Sequence, residues 1–463
     1  MNSLLLKNGR IVTEADDFVG DILIVDGKIQ AIGSGLEKPD SAMRVIDATG
    51  LQIFPGGIDP HVHMELPLSD TVSSDDFESG TRAALAGGTT TIIDFVTPER
   101  EESLLEALNE RKALACHSVC DYSLHMSITS WNSHIPDEMH ACVMEEGIPS
   151  FKTYLAYKET IGLDDDDLIR VMDTAAKLGA LILAHCENGD AISYLRKKLL
   201  FEGKTDPKYH AKSRPPEVER EAVVRATTLA GIAGAALYVV HVSTEEGAEE
   251  IARARARGWR VFGETCPHYL LLDETAYHRP AREAAAYIMS PPLRPPEHKK
   301  ALWHALNRGV LQTVGTDHCP FNLRGQKDRD LSDFTRIPNG VAGVEHRLEL
   351  LYTYGVLAGE ISLQQFVAIT ATNPAKIFGL YPRKGIIAVG SDADLVLWNP
   401  EIKEVLSAKT HHQRCDTIPY EGFKIQGKPE MVIANGKIAV ENGDIKAKRG
   451  DGKFLRRKFF QWV

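Results

Sequence analysis

No stretch of the 463-residue chain approaches the ~20 consecutive apolar residues that a membrane-spanning helix needs. The run Leu4-Leu5-Leu6 near the start falls short of the ~7-residue apolar core of a secretory signal, so no targeting segment is expected. Cysteine is sparse and unpatterned: seven residues, at 116, 120, 142, 186, 266, 319 and 415, with no Cys-x-x-Cys pair. An odd, scattered set argues against a disulfide framework or a zinc knuckle and points to reduced thiols in a cytoplasmic protein. Positive charge is also short. Lys and Arg number 53 against 64 Asp and Glu, a net charge of -11, which speaks against a nucleic-acid or anionic-membrane binder. Compositional bias is absent too, since 43% hydrophobic and 25% charged residues are ordinary globular values that exclude disordered, fibrous and coiled-coil chains. The length is about three times the ~150-residue expectation for one domain, which predicts two or three domains or one large barrel with an appendage.

What is present begins with an echo between the two ends. Leu4-Leu-Leu-Lys-Asn8-Gly9-Arg-Ile-Val12 resembles Met431-Val-Ile-Ala-Asn435-Gly436-Lys-Ile-Ala-Val440, each reading as a hairpin around Asn-Gly. A further hairpin is expected around Asp26-Gly27, and Ser391-Asp-Ala-Asp-Leu-Val-Leu-Trp398 is another β-rich patch. The simplest organisation is one small β-sandwich built from residues 1–54 and 381–440, with residues 55–380 inserted between them. Hairpin duplication is the alternative.

The insertion alternates short apolar runs with helical stretches, the pattern of βα units and a parallel sheet. The runs cover 53–58, 89–95, 122–128, 150–154, 181–185, 237–241, 259–265 and 312–317. Candidate helices cover 75–86, 104–115, 164–178, 216–233, 245–257 and 297–307. Eight runs fit an α/β fold of the (β/α)8, TIM-like barrel type; a doubly wound open sheet fits the count as well. The polar residues favour the barrel. His61 and His63, Lys152, His185, His241 and Asp317 fall at or near the carboxyl ends of their runs, which in a barrel converge on one mouth.

In Asp59-Pro60-His61-Val62-His63 the two imidazoles share one face of a strand and can address one point. Each of His185 and His241 alone reads as an ordinary core histidine, but four together suit zinc and its neighbours. Lys152 is either a lysine reaching solvent or an amine that reacts with carbon dioxide to give a carbamate able to bridge two metals. Asp317 is either a buried cap or a carboxylate that binds metal and accepts a proton from water. His318 is read as structural, Cys319 as inert, and His411-His412 as surface residues.

These motifs resemble the cyclic amidohydrolases of the amidohydrolase superfamily, most closely dihydropyrimidinases and D-hydantoinases. The resemblance runs through Ile46-Asp-Ala-Thr-Gly50, Pro55-Gly-Gly-Ile-Asp-Pro-His61-Val-His63, Gly87-Gly-Thr-Thr-Thr91, Phe151-Lys152, Ala184-His-Cys-Glu-Asn188 and Val240-His241. It continues through Ser290-Pro-Pro-Leu-Arg294, Gly315-Thr-Asp-His-Cys-Pro320, Pro338-Asn-Gly340 and Gly390-Ser-Asp-Ala-Asp394. It implies two divalent metals, zinc first among them. His61, His63 and Asp317 would hold the buried ion and His185 and His241 the outer one, with Lys152 as N6-carboxylysine bridging both. A hydroxide between them would open a dihydropyrimidine or a 5-substituted hydantoin to the N-carbamoyl amino acid. Asp317 would carry the proton, Tyr157 would donate to the oxyanion, and Ser290 and Asn339 would hold the imide edge of the ring. For the last three, core packing and a Pro-rich turn are the plainer readings.

Within the resemblance, Glu65 stands where dihydroorotases usually carry an arginine, which disfavours that activity, and the segment from Phe151 to Lys158 disfavours allantoinase. The exocyclic pocket is expected near Met64, Leu66, Phe95 and Thr153. A non-catalytic scaffold is the alternative outside catalysis, against which every ligand position is filled. A mononuclear deaminase is a further one, against which Lys152 stands. The basic, aromatic tail 441–463 is expected to dock on a neighbouring subunit of a homo-oligomer, a dimer or tetramer.

Overall fold

A computed structural model describes residues 3–39, 41–68 and 70–463. Two β systems organise it. The first is a nine-stranded sheet from both ends of the chain: β1 (Leu4–Val12), β2 (Asp17–Val25), β3 (Lys28–Gly33), β4 (Arg44–Asp47) and β5 (Gln52–Pro55). Its late strands are β16 (Leu395–Val405), β17 (Lys424–Ala434), β18 (Lys437–Glu441) and β19 (Asp444–Ile445). The seam is β5, which runs parallel to β1 and antiparallel to β16, so Ile53 stands opposite both Ile11 and Leu397. Leu6, Ile11, Ile24, Ile53, Leu395 and Ile433 from both halves close on one apolar core.

The second system is the barrel. Its strands are β6 (Gly57–Val62), β9 (Thr89–Val96), β10 (Asp121–Ser127), β11 (Ser150–Tyr154), β12 (Leu181–His185), β13 (Ala236–Val239), β14 (Val261–Thr265) and β15 (Thr313–Val314). The short hairpin β7 (Pro67–Leu68) and β8 (Thr71–Val72) stands at its mouth. All neighbouring barrel pairs are parallel, and the ring closes where Val62 bridges His318 and the His63 amide donates to the His318 carbonyl at 2.8 Å. The helices that cover it include α1 (Phe77–Ala86), α2 (Leu104–Ala115), α3 (Ile135–Met144), α4 (Asp165–Leu178), α5 (Gly189–Phe201), α6 (Pro216–Ala233) and α7 (Glu245–Ala256). The first is set by Asp76, whose side chain accepts from the Ser79 amide at 2.6 Å while Ser79 returns a bond to the cap backbone. Among the described residues no helix is long and apolar enough to cross a membrane.

Two expectations change. The run 53–58 is not one strand: it divides at Gly56 between the small sheet and the barrel. A Cβ at Gly56 would lie 2.1 Å from the Thr90 hydroxyl, so the crossing requires glycine. Asn8-Gly9 is not a hairpin but a bulge inside one continuous β1, with Asn8 at φ +61° and the register against β2 shifting between Leu6 and Gly9. The carboxylate of Asp21 accepts from the Asn8 amide at 3.0 Å and from Lys7 at 2.6 Å, satisfying the groups the bulge frees.

The tail packs on its own barrel. Tyr122 donates to the Lys453 carbonyl and accepts from Leu455, whose side chain is buried with Ile58, Leu181, Leu183 and Phe378 inside the barrel. Arg457 is buried as well, reaching Ser123, the Leu124 carbonyl and Ser150. Phe459 and Trp462 remain about half exposed at its end.

Candidate active site

Six barrel strands deliver a chemical group to the mouth. His61 lies within β6 and His63 just beyond it; Lys152 and His185 come from β11 and β12. His241 follows β13, Glu264 lies in β14, and Asp317 follows β15. His241, Asp317 and Tyr157 all hold left-handed backbone, at φ +41°, +50° and +59°, a strain that side chains tolerate mainly where function over-determines it.

One group of possible ligands is tight. Single ligand atoms of His61, His63 and Asp317 lie within 4.8 Å of one another. Asp317 Oδ1 is 3.1 Å from His61 Nε2 and 3.0 Å from His63 Nε2. His61 Nδ1 is 2.7 Å from Glu264, which leaves Nε2 buried and without a hydrogen bond of good geometry. Beside it His185 Nδ1 and His241 Nε2 converge to 2.9 Å, and the other nitrogen of His185 faces Glu187 at 2.8 Å. Glu187 in turn pairs with Arg214. Both clusters thus show an inward ring nitrogen whose opposite nitrogen is fixed by a carboxylate, the arrangement that orients metal-binding histidines.

The electrostatics agree. Burial lowers the pKa of His63 and His185 and carries His241 well below the ordinary imidazole range, keeping all three neutral and able to ligate. Burial opposes protonation of His61 too, but Asp317 and Glu264 outweigh it and raise that imidazole to about 9, so the same acids favour a cation there. Burial would raise the Asp317 carboxyl, yet His61 and His63 hold it well below its usual range. Lys152 is 1% exposed, its amine 4.9 Å from the Phe95 ring, and burial pulls it down to about 8. A neutral amine is the form that adds to carbon dioxide. The donors His61, His63 and Asp317 therefore fit a divalent cation, with His185 and His241 converging beside them.

A cavity of about 510 Å³ is walled by Tyr157, Asn339, Arg196, Arg214, Leu68 and Phe334 among others. Tyr157 stacks obliquely on His185 with ring centroids 5.3 Å apart, which ties the cavity to the outer histidine pair. Ser290 does not line it but donates to Asn339 Oδ1 at 2.9 Å. Met64, Phe95 and Thr153, expected at an exocyclic pocket, are packed in instead, Phe95 against His63 and Thr153 against the Leu183 carbonyl. Glu65 is not part of the cavity wall either.

His318 is buried and bonded to Asp75 at 3.0 Å, accepting from the Gly343 amide through its other nitrogen, and burial raises the Cys319 thiol. His412 lies at the surface as expected, while His411 is half-buried. They join Glu345 and His346, with His412 2.8 Å from Glu345 and His411 bonded to Gln413 and the Cys415 carbonyl. Glu264, Glu187 and Arg214 were not singled out from sequence. Glu264 ends an apolar run in the same manner as the histidines, and that was its available signal.

Known proteins carry the same organisation. The D-hydantoinase of Geobacillus stearothermophilus is 49% identical over 455 residues, covering 98% of this chain and 96% of its own. The dihydropyrimidinase of Rattus norvegicus is 42% identical, covering 99% of this chain and 89% of its own. The crystal structure of a dihydropyrimidinase from Brevibacillus agri NCHU1002 superposes with a TM-score of 0.98 at 46% identity, covering 100% of both chains. The sequence model of the amidohydrolase family matches residues 52–439, and with these relatives it establishes that the chain belongs to the amidohydrolase family.

Proposed function

We propose that the chain opens a cyclic ureide by hydrolysis, converting a 5,6-dihydropyrimidine or 5-substituted hydantoin to the N-carbamoyl amino acid. The observation that carries this is the convergence of four imidazoles, Lys152 and Asp317 on one barrel mouth beside a cavity, in a chain whose relatives are named D-hydantoinase and dihydropyrimidinase. His61, His63 and Asp317 would hold one divalent cation, His185 and His241 a second, and a carbamate on Lys152 both. Zinc suits this nitrogen-rich set, and such ions supply Lewis-acid activation of water and of the ring carbonyl.

The chain's own groups do the rest. Asp317 accepts the proton of the attacking water and returns it to the ring nitrogen as the C–N bond breaks. Its depressed pKa keeps the carboxylate ionised, and the imidazoles around it place it. Tyr157 donates its hydroxyl to the oxygen on which charge develops. Asn339, steadied by Ser290, holds the imide edge. Arg214 and Glu187 orient His185. The bond changes balance: water adds to the carbonyl carbon, the amide C–N bond breaks, and the nitrogen leaves protonated.

A cytoplasmic setting and a homo-oligomer belong to the same reading. All seven cysteines are free thiols, as a reducing compartment allows, and the half-exposed aromatics of the tail suit a subunit contact. The deciding experiment offers zinc-loaded protein dihydrouracil, a 5-substituted hydantoin, allantoin and dihydroorotate. Ring opening of the first two alone supports the proposal, and turnover confined to either of the others replaces it with that activity.

A further inference from the structure

The cavity beside Tyr157 is rich in guanidinium groups. Arg196, Arg214, Arg329 and Arg336 face it, against two carboxylates, Asp70 and Asp330. Three of the four arginines are neutralised: Arg214 by Glu187, Arg329 by Asp70, and Arg336 by Asp330 at 3.0 Å. Arg196, on α5, differs. Among the described residues no carboxylate lies within ion-pair distance of it, and its Nη2 donates to the Thr335 carbonyl at 3.2 Å. It is partly buried, and burial together with the neighbouring Arg214 charge depresses its pKa. A guanidinium carries five donors in a fork that matches a carboxylate. Holding one half desolvated beside a second cation costs free energy that an anion in the cavity recovers.

The position gives this charge a use. Tyr157 and Asn339, assigned above to the reacting carbonyl and the imide edge, share the cavity wall with Arg196, so the substituent of a bound ring has this space to enter. The one sequence argument against acidic substrates rested on Glu65, which stands outside that wall.

We propose that Arg196 anchors an anionic subsite, selecting ring ureides whose exocyclic substituent ends in a carboxylate. Opening such a ring yields the N-carbamoyl derivative of an acidic amino acid. The inference rests on the ring-opening reading and adds the substrate class to it. Asp70 and Asp330 do not cancel the subsite because each is already engaged by its own arginine.

The test compares hydantoin-5-propionate with its carboxamide, nearly equal in shape and different in charge, on the metal-loaded protein. The wild type should favour the acid in kcat/KM by about tenfold or more, the scale of one charge-assisted hydrogen-bonded contact. Arg196→Gln should bring the ratio near one, Arg196→Lys should keep part of the preference, and Arg196→Glu should reverse it. Because the result is a ratio within each variant, general damage to the fold cancels. Calorimetric binding of the same two compounds reports the preference whether or not turnover occurs. Equal handling of acid and amide by the wild type, or a preference that survives Arg196→Gln, overturns the subsite. Loss of ring opening on dihydrouracil and both hydantoins with the binding preference intact overturns the proposed function and leaves the subsite standing.

Discussion

Glu264 and His61 form a buried pair, Oε1 to Nδ1 at 2.7 Å, and the same carboxylate also accepts from the His241 amide at 3.1 Å and the Tyr238 hydroxyl at 2.8 Å. One side chain thus fixes a ring of the first histidine pair and the backbone of the second. Replacing Glu264 by Gln removes the charge while keeping the shape. Metal affinity should fall about 10- to 100-fold, the usual cost of losing such an orienting partner. Metal content after dialysis against a graded chelator measures it, and undiminished retention would remove the orienting role.

Lys152→Ala should abolish ring opening, and short carboxylic acids added to the mutant should restore part of it by standing in for the carbamate. Activity assays with and without acetate or propionate decide this. A plain mutant with full activity refutes the carbamate.

Tyr157→Phe should lower kcat by about 100-fold or more with little change in KM, because a donor aimed at developing charge acts on the transition state and not on the ground state. Steady-state kinetics on dihydrouracil reads the split. A rise in KM alone would make Tyr157 a binding residue.

Lys384 is buried among Asp121, Asp392 and Asp394 where the small sheet meets the barrel. Burial alone would raise the Asp392 carboxyl, but Lys384, Lys28 and Arg383 hold it down at about 2. Its unfolded counterpart titrates near ~3.9. The stabilisation is therefore fully present above about pH 4 and is lost as pH falls toward about 2. Thermal melts from pH 5 to pH 2 should show this slope, and Asp392→Asn should flatten it. Lys384→Met, which strands three acids, should cost about 3–5 kcal/mol at neutral pH.

Truncation after Gly452 removes Leu455 and Arg457 from the barrel floor and should lower the melting temperature by several degrees. Light scattering on the same variant reads assembly. A smaller particle at equal concentration assigns the tail to the subunit contact as well as to the barrel, and an unchanged mass confines it to the barrel.

The histidines, Lys152 and Asp317 were legible because each interrupts a β-branched or apolar run at the end where a parallel barrel opens. Their partners were not, because a carboxylate such as Glu187 or Glu264 acquires meaning only from the ring it faces. Arg196 gave no signal at all, since an arginine on a helix reads as solvated surface until a cavity is seen beside it. Among the elements, α5 passed unread: it buries only Ile192 and Leu199, too few to mark a 3.6-residue period. Pro136 obscured α3 by looking like a breaker, although at the first helical turn proline is a starter. Asn8-Gly9 misled because a dipeptide suited to a tight turn is equally suited to a left-handed bulge, and only strands on both flanks distinguish the two.

The seam at β5 also has a bearing on how the polypeptide is made. Strands β1 to β5 are made before the barrel, yet the edge of β5 pairs only when β16 follows, after the whole barrel has been translated. Until then the edge Gln52-Ile53-Phe54-Pro55, with its apolar Ile53 and Phe54, stands open to neighbouring nascent chains, a surface prone to sticking. The growing polypeptide thus has reason to need chaperone shielding for its first strands, and slow closure of this long-range pairing is the expected bottleneck in producing the protein in quantity.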